Sequence, residues 1–326
     1  MRGDGVTMNE LTIIGGGLAN TQSSLMDAFA DFLRLDVANG DASLDTIRGY
    51  KTQVAQWVQW CQDNGIDPAS AIPGDVKAYR LHLVTNGYKA ASIAHKLTII
   101  RRFYAAAVDN GLRPDNPAAG IKPPKDKRAE DDFHYLNEVD YTLLLRAVPK
   151  AKIEKNLRDK AIIAMMGLQG LRTVEIERAS MSDLRINGET VSMLVRGKNH
   201  DRTIYLRPDV ADIIAQYIDS RGEIATDKQG VPLFAACGNR AGGKRISRRG
   251  VRQVVDFYLK KADLKRPGIS DHALRHTAAT LAYKYTQDLR GVQEMLGHAD
   301  PKTTARYAHV IDRMKNNPAM AIQVEL

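Results

Sequence analysis

Six side chains in the C-terminal half could act together on one substrate. They are Arg172 in GLQGLRTVEIE, Lys198 in VRGKNHDR, His272 and Arg275 in SDHALRHTAATLA, His298 in MLGHADPKTTARY, and Tyr307 closing that stretch. The set contains one nucleophile, the tyrosine, among cationic and neutral hydrogen-bond donors. It lacks the cluster of carboxylates that a hard divalent metal prefers. A phosphodiester suits such a set, because its reaction above all needs stabilised charge on the phosphoryl oxygens.

Spacing sharpens the reading. His272 and Arg275 are three residues apart and share a face if the segment is helical. Ser270 or Asp271 can cap that helix, which puts the pair in its first turn, where backbone donors and the helix dipole favour an anion. His276 stands four residues after His272, a metal-ligand spacing. The zinc-protease pattern requires Glu directly after the first histidine, however, and Ala273 stands there. His276 therefore reads as a packed or capping histidine. Arg172 follows glycines and opens a helix, with Glu175 three residues on to orient nearby cations. Alone, that pair would be an ordinary surface ion pair worth little. Gly297 ends a helix, His298 lies in the turn, and Pro301 can open the helix that carries Tyr307. Taken singly, an aromatic at helical spacing is a core residue.

The elements that must position these groups are mostly helices. Residues 1–20 read as a flexible tail. Their LTIIGGGLAN stretch looks like a phosphate loop but has Asn20 where a third glycine or alanine belongs, and no βαβ unit follows. Residues 21–118 read as a helical domain. One helix carries Ile47, Tyr50, Val54, Trp57, Val58 and Cys61 and stops near Gly65. A second runs from about Pro73 to Asn86. A third carries Ile93, Leu97, Ile100, Tyr104 and Val108 and stops at Gly111. The proline-rich, basic stretch 119–132 reads as a linker. A second domain spans 133–312, mainly helical, with TVSMLV and RTIYL as a β-hairpin whose tip holds Lys198. Helices are expected at about 208–221, 247–263, 271–285 and 289–296, followed by the one holding Tyr307. Residues 313–326 form a short tail. The fold class is thus mainly α with a small β-hairpin or sheet in the second domain.

Composition narrows the partners. The chain of 326 residues has 47 Lys plus Arg against 38 Asp plus Glu, a formal charge of +9 and a pI near 9.4. That excess suits a polyanion. Basic residues crowd two segments: Lys122 and Lys125 with Lys127 and Arg128, then Lys244, Arg245, Arg248, Arg249 and Arg252. Lys96, Arg101 and Arg102 lie around the third helix. All are candidate phosphate contacts, with a solvated charged face as the alternative. Cys61 and Cys237 are too few for a disulfide framework or zinc site. Cys61, beside Trp57 and Trp60, reads as core, and Cys237 has no evident partner. No apolar run approaches the ~18 residues of a membrane span, and MRGDGVTMNE is not a secretory signal. Cytoplasmic residence, at the nucleoid, is expected.

In their joint order and spacing, HALRH, LGH and the tyrosine nine residues after His298 resemble the tyrosine recombinase, or phage integrase, family. The resemblance runs from SLDTIRGYKTQVAQWVQWCQDNG to YAHV. Arg172 matches the first family arginine and Glu175 its acidic companion. Lys198 matches the hairpin lysine, His272 and Arg275 the His-x-x-Arg pair, His298 the later His or Trp position, and Tyr307 the nucleophile. The resemblance implies a two-domain DNA clamp and strand exchange through a 3′-phosphotyrosine and a Holliday junction, with no metal, ATP or other cofactor. In that scheme Arg172, Arg275 and His298 hold the phosphoryl oxygens, Lys198 protonates the leaving 5′ oxygen, and His272 assists proton removal from Tyr307. It implies inverted-repeat core sites in double-stranded DNA, a homodimer on each site, a homotetramer in the synapse, room for accessory DNA-bending proteins, and a C-terminal tail that docks on a neighbouring protomer. A type IB topoisomerase or telomere resolvase shares the same residues. A DNA-binding regulator without catalysis is a third reading.

Overall fold

The computed structural model describes residues 19–125, 133–197, 201–237, 242–301 and 303–308, with side chains from residue 24 onward. Lys198, Lys127, Arg128, residues 1–18 and the tail 313–326 lie outside the described residues. The chain divides into two compact units, Met1–Arg128 and Ala129–Leu326.

The first unit holds α1 (Ala19–Leu35), α2 (Leu44–Asp63), α3 (Pro73–Thr85) and α4 (Ala90–Asp109). Ser43 caps α2 through its hydroxyl, which accepts from the Thr46 amide, as a helix N-terminus requires. Helix α4 touches α1, α2 and α3, so its buried face is wider than one stripe. Ile99, Phe103, Ala106 and Ala107 are buried along with Ile93, Leu97, Ile100 and Tyr104. The polar edges of the core aromatics are matched: Trp57 Nε1 donates to the Tyr104 hydroxyl at 3.0 Å, which donates to the Pro68 carbonyl at 2.9 Å. Cys61 is fully buried among them, and burial pushes its thiol up to about 12. Helix α1, unread in the sequence, contributes Leu25, Phe29 and Leu33 to this core.

Two cations of α4 are spent on the fold. Lys96, expected on the surface, is 7% exposed. Its ammonium donates to Gln53 and Gln56 of α2 and lies 5.2 Å from the centre of the Tyr88 ring. Its aliphatic stem is drawn into the α2–α4 seam, where two amide oxygens replace water. Arg101 donates to the carbonyls of Ala118 and Ile121, tying the end of the unit to α4. Arg102 remains exposed, bonded to the Tyr50 hydroxyl.

The second unit is built round α6 (Glu154–Gly167), which is buried almost throughout. Helices α5 (Glu138–Ala147), α7 (Thr173–Arg178), α8 (Pro208–Ser220), α9 (Arg248–Lys261) and α10 (Asp271–Thr286) contact it, and α11 (Leu289–Leu296) packs on α10. A three-stranded antiparallel sheet of β1 (Leu184–Asn187), β2 (Thr190–Val195) and β3 (Arg202–Tyr205) has the order β1-β2-β3. The expected hairpin is β2–β3, and its register pairs Met193 with Ile204 and Val195 with Arg202. Met193, Val195 and Ile204 enter the core, as strand alternation dictates. Strand β1 is an addition to the sequence reading. Its LRIN is only four residues long and largely exposed, too short an alternation to mark a strand. Cys237 also acquires a partner, donating to Glu154 at 3.4 Å.

Candidate active site

The site grows from a helix start. Arg172 occupies the N-cap position of α7. Glu175, three residues on, reaches back and accepts from the Arg172 amide at 2.8 Å, satisfying a donor that the helix leaves orphaned. The same carboxylate accepts from the Arg172 guanidinium at 2.9 Å. Arg202 of β3 grips it with both terminal nitrogens, at 2.8 and 3.1 Å, and Arg275 of α10 approaches to 3.8 Å. Glu175 is only 2% exposed. Burial alone would raise its pKa, but the Arg202 fork, the Arg172 amide and the Arg275 charge outweigh burial and hold it below the ordinary carboxylate value. Three guanidinium groups thus surround one carboxylate. The surplus positive charge is what an incoming anion meets.

The last turn of α11 holds two of these arginines. Arg202 Nε donates to the Met295 carbonyl at 3.1 Å, and Arg275 Nη2 to that of Leu296 at 2.6 Å. Carbonyls at a helix end lack helical partners and carry its negative dipole end. Gly297 then turns the chain at φ +63°, and a Cβ there would stand 2.9 Å from Arg202 Cδ. Glycine is required on both counts. Arg275 Nη1 also donates to the Gly170 carbonyl. Gly170 has φ +70°, and its Cβ would meet Leu296 at 2.7 Å. The glycines flanking the motifs therefore let backbone oxygens reach the arginines. Arg275 is 2% exposed, and burial, then Arg172, lower its pKa.

His298 leaves this turn with Nδ1 2.9 Å from the Thr304 hydroxyl. Burial, reinforced by Arg275 and Arg172, lowers its pKa to about 4. It is therefore neutral at pH 7. In the tautomer whose Nδ1 accepts from Thr304, the hydrogen sits on Nε2, where it can be donated to an anion. His272 stands in the first turn of α10. Ser270 occupies the N-cap but makes no side-chain cap bond. Asp271 instead accepts from the Thr173 hydroxyl at 2.6 Å, joining the starts of α7 and α10. Burial and Arg275 lower the His272 pKa.

Tyr307 lies on a helical segment over 303–308 and is 2% exposed. Its ring meets Phe133 edge-on at 5.4 Å and lies parallel to the His298 ring at 6.3 Å. Burial raises the phenol pKa, while Arg275, Arg306 and Arg172 pull it down. Its hydroxyl is 3.1 Å from Nδ1 of His276, not from His272.

Arg172 and Arg275 thus meet at Glu175, and His272, His298 and Tyr307 each feel the charges of those two arginines. The base of the β2–β3 connection is fixed by Arg196 on Asp183 at 2.9 Å and by Arg178 on the Gly197 carbonyl at 3.0 Å. Two participants went unassigned in the sequence. Arg202 belongs to no motif, but its pairing with Val195 in the hairpin fixes its place. His276 carried its signal in the i+4 spacing to His272.

The remaining cations divide by what they touch. Lys122, Lys125, Lys244, Arg249 and Arg252 are exposed. Arg248 pairs with Glu177 at 3.1 Å, and Arg252 lies 3.6 Å from Asp271. Arg245 is a correction to the surface reading. Its guanidinium bonds to Asp227, Ser180 and the carbonyls of Glu177, Ala179 and Gly230. All five of an arginine's donors are engaged, so it staples loops together. Among the described residues no group of three or more His, Cys, Asp or Glu could hold a metal, and no helix is long and apolar enough to cross a membrane.

The model of the phage integrase family matches residues 134–314, and that of the phage integrase N-terminal SAM-like domain matches residues 27–111. The chain is 32% identical over 273 residues to tyrosine recombinase XerC of Pelobacter propionicus, covering 82% of this chain and 86% of the relative. It is 30% identical over 268 residues to tyrosine recombinase XerD of Bifidobacterium longum, covering 81% and 86%. Among solved structures, XerH site-specific recombinase in its post-cleavage complex with palindromic difH substrate shares the fold, with TM-score 0.67, 18% identity and coverage of 92% and 88%. So does a lambda integrase tetramer bound to a Holliday junction, with TM-score 0.67, 14% identity and coverage of 87% and 76%.

Proposed function

The chain belongs to the phage integrase family of tyrosine recombinases, and from that premise we propose how its residues divide the work of site-specific recombination on DNA. The enzyme is a site-specific tyrosine recombinase. Tyr307 is the nucleophile. Its oxygen attacks the scissile phosphorus, the bond to the 5′ oxygen breaks, and a 3′-phosphotyrosyl link forms. The phosphodiester's energy is conserved in that link, so a partner strand's 5′-hydroxyl reverses the step without ATP. Arg172 and Arg275 hold the non-bridging oxygens, and neutral His298 donates to the same oxygens through Nε2. Glu175 holds the two arginines apart and in place. His272 assists removal of the phenolic proton, and Lys198 delivers a proton to the leaving 5′ oxygen.

The observation that supports this reading is the convergence of Arg172 and Arg275 on buried Glu175, with His298 and Tyr307 stacked beside each other within reach of both arginine charges. Residues 21–118 and the basic linker 119–132 bind the duplex, through Lys122 and Lys125 among others, while 133–312 carries the chemistry. Two protomers occupy an inverted-repeat core site, and two sites assemble a tetramer.

The test begins with a duplex selected by the purified chain from a randomised pool. That site is then nicked beside the cleavage position so that the covalent adduct accumulates. Wild type gives a protein–DNA adduct, and Tyr307→Phe gives none. An adduct that persists in Tyr307→Phe sinks the assignment. Efficient relaxation of supercoiled DNA lacking the selected site turns the reading to a topoisomerase.

A further inference from the structure

Among the described residues, the hydroxyl of Tyr307 has one hydrogen-bond partner, Nδ1 of His276 at 3.1 Å. The imidazole is fixed on several sides. Its ring centre is 4.8 Å from that of Phe133, 4.9 Å from that of His272 and 5.8 Å from that of Tyr307. Charged and titratable groups face it from three neighbouring elements, His272 and Arg275 on α10, His298 after α11, and Arg306 and Tyr307 on the last helical segment, while the segment before α5 presents the Phe133 ring. Burial, then these like charges, lowers its pKa to about 3. A neutral imidazole among guanidinium groups is a poor destination for a proton. It is a good acceptor for one hydrogen bond, with its own hydrogen on Nε2.

Resting on the assignment of Tyr307 as nucleophile, we propose that His276 is the positioning residue of that nucleophile: Nδ1 accepts the hydroxyl's hydrogen bond and fixes where the oxygen points. As the oxygen attacks phosphorus, the phenolic proton passes to His272, the group assigned to its removal above, so His276 gains no charge in the step. A phenol on a short helical segment otherwise rotates about its C–O bond and its side-chain torsions. Reaction requires it in one attack geometry. Nothing in the His-x-x-Arg spacing assigns this job, because the pair ends at Arg275.

The experiment measures single-turnover adduct formation on the nicked duplex selected above, together with DNA affinity, for three proteins. His276→Phe keeps the ring volume and removes the acceptor. His276→Asn places an amide oxygen near the position of Nδ1. The loss of one hydrogen bond from the reacting geometry corresponds to roughly a tenfold slower cleavage. We expect that loss in His276→Phe with unchanged affinity, and a rate in His276→Asn within about threefold of wild type. Because His276 stays neutral, wild type and His276→Asn share one pH–rate profile between about pH 5 and 9. If the Phe variant melts early, Ala replaces it in the comparison. Wild-type cleavage rates in the acceptor-less variant overturn the inference. So does an Asn variant no faster than Phe, or a limb of the pH profile lost in His276→Asn. Wild type that forms no adduct overturns the nucleophile assignment itself, a different outcome from a cleaving wild type matched by its variants.

Discussion

Replacing Glu175 with Gln tests the electrostatic centre of the site while preserving its volume. The carboxylate is almost inaccessible and receives Arg202 on both oxygens, the Arg172 amide and guanidinium, and Arg275 at 3.8 Å. Glutamine offers one acceptor oxygen and turns an NH2 group toward guanidinium donors. It leaves three cations with no counter-charge between them. Removing one partner of a buried ion pair costs about 3–5 kcal/mol. At ~2–4 °C per kcal/mol for a unit of some 200 residues, the melting temperature falls by about 6–20 °C at pH 7. The sign of the pH dependence follows from the lowered pKa of Glu175. Its contribution is full above the unfolded value of about 4.3 and disappears as pH falls through the folded value. The gap between wild type and Glu175→Gln therefore stays constant from pH 7 to about 5 and closes in stronger acid. Inorganic phosphate supplies the missing negative charge, so it raises the melting temperature of the variant more than that of wild type. Calorimetric or circular-dichroism melts over pH 3–7, with and without phosphate, make the measurement. A variant that melts within about 2 °C of wild type at pH 7, or a gap that does not narrow in acid, refutes the reasoning.

Other outcomes follow from the same contacts. His298 and His276 have pKa values lowered to about 4 and about 3, so below about pH 6.5 the unfolded chain takes up protons that the folded one refuses. Stability then falls with acid by up to about 1.4 kcal/mol per pH unit for each histidine, and His298→Asn flattens the slope measured by denaturant titration between pH 6.5 and 4. Gly170→Ala forces a Cβ toward Leu296 at a left-handed position; an ordinary strain of about 1–3 kcal/mol should appear in the melt, with cleavage lost faster than DNA affinity because the Arg275 anchor moves. Arg245→Ala destabilises the second unit and leaves the salt dependence of DNA binding unchanged. Arg249→Ala does the reverse, lowering the slope of log affinity against log salt by about 1.

The placing of these side chains was legible because it rests on local chemistry. The start of a helix at Asp271 puts His272 and Arg275 near one another on its first turns, and a left-handed glycine delivers His298, so two short motifs locate their side chains without tertiary knowledge. Strand alternation likewise places Met193, Val195 and Ile204 on one face and so implies the hairpin. What escaped depends on distant partners. Arg245 and Lys96 look like surface charge until the carbonyls of Glu177 and Ala179, or the amides of Gln53 and Gln56, are brought against them. Strand β1 is four residues long and largely exposed, and it is recognisable only by its pairing with the edge of β2. The pairing of His276 with Tyr307 joins residues 31 apart in sequence. Only the packing of α10 against the last helical segment creates it.

The central claim is that Tyr307 forms the covalent link to DNA. Wild type is incubated with the nicked selected duplex, the adduct is digested with trypsin and nuclease, and the nucleotide-bearing peptide is sequenced by mass spectrometry. The account predicts a 3′-phosphonucleotide on Tyr307 and none in Tyr307→Phe. A nucleotide on any other residue, or an adduct undiminished in Tyr307→Phe, contradicts it.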